Sequence, residues 1–173
     1  MSSRGPRCPR DMSEREPQVQ ERTAQPCLAI HAHVTSEEEF RRAADRGFPE
    51  LFGWLAERGI EPSGPLFIRY VALDDAGEPL DIELGVPVAP GVAGDERVQA
   101  GELPAGRWAT FLHVGPYDHA TEPDLAAGRA TLQAWMDAQG LAHGEYVEHF
   151  ILGPVEEPDF TRWQTELAYL TTG

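Results

Sequence analysis

The sequence predicts an α+β fold built twice over, as two strand–helix–strand–strand modules with antiparallel sheets. Two observations carry this. The phrase LFGWLAERGI (residues 51–60) returns as LQAWMDAQGL (residues 132–141), so that Leu51, Trp54 and Gly59 recur at one constant spacing as Leu132, Trp135 and Gly140. Around each phrase, stretches with helical periodicity alternate with stretches whose apolar residues fall at every second position, the signature of half-buried strands. One such unit is too small to be stable alone, and two together can bury a shared core.

The elements follow in order. Residues 1–26 are polar, rich in Arg, Glu, Pro and Gln, and are expected to form a disordered tail, within which Met12 is an alternative start. Module one spans residues 27–88. Its first strand is Cys27–Val34, with Leu28, Ile30, Ala32 and Val34 on one side. Ser36 and Glu39 form a capping box that opens a helix. Gly47 and Pro49 are expected to interrupt it, and a second helical run through Leu51, Phe52, Trp54 and Leu55 stops at Gly59. The strands PLFIRYVAL and LDIELGVPV flank the turn DDAGEP. A polar linker covers residues 89–106. Module two, residues 107–173, repeats the order: strand Arg107–Val114, turn GPYDHA, a helix capped by Thr121 and Asp124 and ending at Gly140, then the strands EYVEHFIL and WQTELAYL. His33, Val34 and Ala29 are taken as the counterparts of His113, Val114 and Ala109, and Glu83 as that of Glu166.

Composition narrows the function. The chain has 173 residues and a formal net charge of -15. The acidity lies outside the first 27 residues. Such a surface repels phosphate backbones, so no direct nucleic-acid partner is expected, while cations are attracted. All 14 basic residues are Arg, which removes a lysine Schiff base from consideration. No Ser follows Ser63, so module two holds no serine nucleophile. No phosphate-binding Gly-rich loop is present. Cys8 and Cys27 are the only cysteines, and no signal peptide or membrane span is evident, so a cytoplasmic location and no membrane partner are expected. His31, His33 and His113 have no metal-site spacing beyond their number; no metal and no cofactor are expected.

The ordered set LPAGRWATFLHVGPYDHA, LQAWMDAQGL and PVEEPDFTRWQTELAYL resembles the GyrI-like small-molecule-binding domain, also known as the AraC effector-binding domain, over residues 27–173. The resemblance implies pseudo-twofold symmetry and, between the modules, a cleft that takes apolar, often cationic ligands over a buried acidic residue. It departs from the family at Phe150, where a Tyr is usual, and at Tyr169-Leu170, where an apolar-Pro pair is usual. Val86-Pro87 keeps that pair in module one.

Glu166 is the leading site candidate, because its strand is apolar on both faces and a half-buried carboxylate suits a cationic partner. Glu83 is its symmetry mate. Tyr70, Trp108, Phe111, Tyr117, Tyr146 and Phe150, with His113 in the family's turn motif, are expected to line the ligand site, since aromatic faces attract organic cations. Trp54 and Trp135 are read as helix-on-sheet core. The expected function is a stand-alone binder of a small hydrophobic or cationic organic ligand. The alternative is a hydrolase of strained cyclopropane-containing natural products, as the resemblance implies for some relatives, with Glu166 steering water and Tyr70, Tyr117 or Tyr146 supplying a hydroxyl. A third reading is a gyrase-type protein partner.

Overall fold

The computed structural model describes residues 16–73, 79–115, 125–153 and 156–171. Among these residues, eight strands form one antiparallel sheet: β1 (Gln18–Arg22), β2 (Gln25–His33), β3 (Phe67–Leu73), β4 (Pro79–Pro87), β5 (Gln99–Leu103), β6 (Gly106–Val114), β7 (Tyr146–Leu152) and β8 (Gln164–Thr171). Their spatial order is β1-β6-β8-β7-β3-β4-β2-β5. Two helices, α1 (Glu37–Glu57) and α2 (Leu125–Ala138), pack on one face. The two modules are thus joined edge to edge through the β3–β7 pair, and the order reads the same from either side of that pair.

The helix ends explain the repeated phrase. The Gly59 and Ile60 amides bond to the Ala56 and Leu55 carbonyls, and the Gly140 and Leu141 amides bond to those of Asp137 and Met136. Gly59 and Gly140 have φ of 65° and 71°. Each phrase is therefore a helix closing in a Schellman motif, with glycine in the left-handed position. At the other end of α1, the Ser36 hydroxyl accepts from the Glu39 amide at 3.1 Å, and three glutamates occupy the positive first turn. Contrary to expectation, α1 is continuous through Gly47 and Pro49. Gly47 sits against the sheet, where a Cβ would lie 2.2 Å from Leu84 Cδ1. Burial of Leu51 and Leu55 compensates for the hydrogen bond that Pro49 cannot make. The Thr121–Asp124 cap, the turn residues 74–78 and most of the GPYDHA turn lie outside the described residues.

Two further corrections concern the segments read as tail and linker. Gln18–Arg22 is strand β1, paired with β6, and Gln99–Leu103 is strand β5, paired with β2. Each is the outermost strand of the half to which the other module belongs. Alternation along the sheet also shifts one alignment. Leu28 and Ile30 pack with Leu51 and Leu55 of α1, and Ala109 packs with Leu132 and Met136 of α2. Leu28 therefore corresponds to Ala109, and Ala32, not His33, to His113. The Glu83–Glu166 equivalence holds: His31 pairs with Glu83 where Leu112 pairs with Glu166.

The sheet curls into a half-barrel. Its concave face, away from the helices, buries Cys27, Phe67, Leu103, Trp108, Val147 and Ala168 in one cluster. Gly85 makes room there: a Cβ would stand 2.5 Å from Phe67 Cζ and 3.1 Å from the Leu28 carbonyl oxygen. Gly85→Ala is expected to destabilise the fold by about 1–3 kcal/mol through overpacking. The check is a lower urea midpoint at unchanged m-value.

Candidate functional site

α1 lies over β2 and β4, and α2 over β6 and β8. The helix face of the central pair, β3 and β7, is left between them. The local twofold passes through the Ile68–Glu148 pair: Arg69 pairs with Glu83 as His149 pairs with Glu166, so Ile68 and Glu148, which pair with each other, are counterparts. Strand alternation then places Tyr70 of β3 and Tyr146, Glu148 and Phe150 of β7 on that one face.

Glu148 is 4% exposed. The Tyr146 hydroxyl donates to its Oε2 at 2.9 Å, and the Tyr70 hydroxyl donates to its Oε1 in a short hydrogen bond. Burial, then the neighbouring Glu148 charge, pushes both phenols well above their ordinary pKa, so both remain donors. The rings form a continuous array. Tyr70 and Tyr146 lie 5.1 Å apart, Tyr146 and Tyr169 4.6 Å, and Phe40 of α1 stacks on Tyr70 at 5.9 Å. Phe48 meets Phe150 edge-on at 6.4 Å. From α2, Arg129 sits over the Tyr146 ring, and Gln133 donates to the Tyr169 hydroxyl at 2.7 Å. Thr165, fully buried opposite Phe150 and His113, has a hydroxyl oxygen with no hydrogen-bond partner among the described residues. A carboxylate held by two hydroxyls and ringed by aromatic faces is equipped to meet an organic cation.

The sequence candidates divide between the two faces of the sheet. Tyr70, Phe111, His113, Tyr146 and Phe150 lie on the helix face; Tyr117 is outside the described residues. Glu166, Glu83 and Trp108 lie on the concave face. Glu166 accepts from Arg22 of β1 at 2.7 Å, and Arg69 stands 3.5 Å from Glu83. Glu166 is therefore an ion-pair partner rather than the carboxylate among the aromatics. It shares its side of β8 with Ala168 and Leu170, while Tyr169 points the other way. Glu166, Arg22, Trp108 and His149 line a groove of about 570 Å³ at the mouth of the half-barrel, together with Leu103 and Ile151. His31 and His33 approach Asp81 at 3.6 and 3.0 Å, and His113 is on the opposite face. Trp54 and Trp135 flank the helix-side core half-buried, and Trp54 Nε1 donates to Asp95 at 2.8 Å.

The residue missed from sequence is Glu148. Its signal was present: in YVEHF the glutamate is two residues from both Tyr146 and Phe150, hence on their face of a strand.

This arrangement of paired modules, flanking helices and a buried carboxylate ringed by aromatic side chains defines a class of ligand-binding domain. A model of the GyrI-like small molecule binding domain matches residues 15–168, and the chain belongs to that family. No curated protein matches it. Among solved structures, the EcmrR C-terminal domain is similar at 17% identity and TM-score 0.75, over 91% of this chain and 97% of that one. SAV2435 bound to tetraphenylphosphonium is similar at 11% identity and TM-score 0.62, over 91% and 94%. A hydrolase from Listeria innocua is similar at 13% identity and TM-score 0.59, over 92% and 93%. At these identities the likeness is one of fold. No helix among the described residues is long and apolar enough to cross a membrane.

Two outcomes test the site's electrostatics. Tyr70→Phe removes one donor from a buried carboxylate and is expected to cost about 1–3 kcal/mol in denaturant unfolding. His149, on the concave face beside Glu166, is pushed by burial from 6.5 to about 4. Its native pKa is depressed, so between these values the unfolded chain binds the extra proton. This stability is fully present above pH 6.5 and is lost as pH falls towards 4, by roughly 2–3 kcal/mol. His149→Gln should flatten that limb of the stability–pH curve, and an unchanged limb would refute the assignment.

Proposed function

We propose that the chain binds small, apolar aromatic compounds, cations above all, on the helix face of β3 and β7, with Glu148 as the countercharge. The observation that carries this is Glu148 itself: a buried carboxylate on the local twofold, with a hydroxyl on each oxygen and aromatic rings around it. Burying such a charge is costly without a compensating partner. Two tyrosines hold the anion in place, and its charge and the surrounding rings would attract a cationic ligand whose apolar body covers the rings. The Thr165 hydroxyl, on the same side of the sheet and without a hydrogen-bond partner among the described residues, offers a further polar contact. The SAV2435 structure, described as bound to tetraphenylphosphonium, supports this choice of ligand class.

A hydrolytic reading draws on the Tyr70–Glu148 contact, which pairs a general base with a hydroxyl able to polarise a carbonyl. In that reading Glu148 takes the part expected of Glu166, and Phe150 supplies no hydroxyl. Turnover of a strained cyclopropane substrate, absent from simple binding, separates the two.

Tryptophan fluorescence titrated with tetraphenylphosphonium tests the binding. Glu148→Gln is expected to weaken it by about tenfold or more. Glu166→Gln, on the other face, should leave it nearly unchanged. Loss with Glu166→Gln and retention with Glu148→Gln would move the site to the concave groove.

A further inference from the structure

Arg129 occupies a telling position. It projects from α2 with its guanidinium carbon 5.3 Å from the centroid of Tyr146, the ring whose hydroxyl holds Glu148. Its charge also reaches Tyr70 and Tyr169, lowering both phenols against the upward push of burial. A positive charge over an aromatic face and next to the buried carboxylate's own hydrogen-bond donor is the arrangement that an organic cation would itself adopt. The side chain is half-buried at the edge of the array, on a long flexible stem.

We propose that Arg129 is a built-in occupant of the cation position, and that a cationic ligand binds by displacing its guanidinium from Tyr146. The proposal rests on the binding reading above and adds to it a residue that sets ligand charge preference. While Arg129 sits over the ring, a second cation meets like-charge repulsion. The apparent affinity for cations is then reduced by the fraction of molecules in which Arg129 has turned away. An uncharged ligand of the same shape meets no such repulsion.

The test uses two arylphosphorus probes, cationic tetraphenylphosphonium and uncharged triphenylphosphine oxide, titrated against wild type, Arg129→Gln and Arg129→Gln/Glu148→Gln. Circular dichroism confirms that each variant folds. Arg129→Gln is expected to tighten tetraphenylphosphonium by about tenfold and to change triphenylphosphine oxide by less than about threefold. Unchanged or weaker cation binding would overturn the proposal. Equal tightening of both probes would also overturn it, by showing a steric gate rather than a charged one. The double variant keeps the two claims apart: loss of the tightened cation binding upholds Glu148 as countercharge, and its persistence overturns that reading. Binding of neither probe to any of the proteins overturns both.

Discussion

The structure depends on two very short connections. β1 and β5 end the sheet on opposite sides, yet residues 23–24 alone join β1 to β2, and residues 104–105 alone join β5 to β6. Each connection must cross from one margin of an eight-stranded sheet almost to the other. A chain that short reaches only about 10 Å. The sheet must therefore curl until its margins approach, and Leu103 and Trp108, near opposite ends of the strand order, share one apolar cluster. Curling closes the concave face upon its own side chains and leaves the two helices on the outside.

That geometry also sets the proposed place for ligand chemistry. With the margins drawn together, each helix lies over the outer strands of its own module, and the central pair runs between them beneath side chains that reach over from both. A residue on the local twofold is reached from both halves. Glu148 holds that position and takes one hydroxyl from each module, Tyr70 from the first and Tyr146 from the second. Its symmetry counterpart is Ile68, so the duplicated framework carries a single carboxylate there. The matched carboxylates, Glu83 and Glu166, are both used on the concave face, where Arg69 and Arg22 meet them.

Much of the fold was legible in the sequence, because the duplicated phrase encodes two helix C-caps whose glycines are required by their backbone angles. The strands beside it were legible through alternation. β1 and β5 were not, since both are short edge strands whose polar composition matches that of a tail or a linker. Their signal is a weak repeat, Gln18, Glu21 and Ala24 against Gln99, Glu102 and Ala105. Of the candidate site, the residue types and most of the aromatics were legible in the sequence, but the buried carboxylate among them was not. Glu166 has an apolar strand around it, which is common to both faces of this sheet. Only face parity distinguishes it from Glu148, and parity must be counted against the aromatics.

The central claim is that the ligand site lies on the helix face, on the local twofold, and not in the concave groove. Anomalous diffraction from a crystal of the protein with tetraphenylarsonium locates the arsenic atom directly. An arsenic peak between α1 and α2, over Tyr146 and Glu148, is the result this account predicts. A peak beside Trp108 and Glu166 would contradict it.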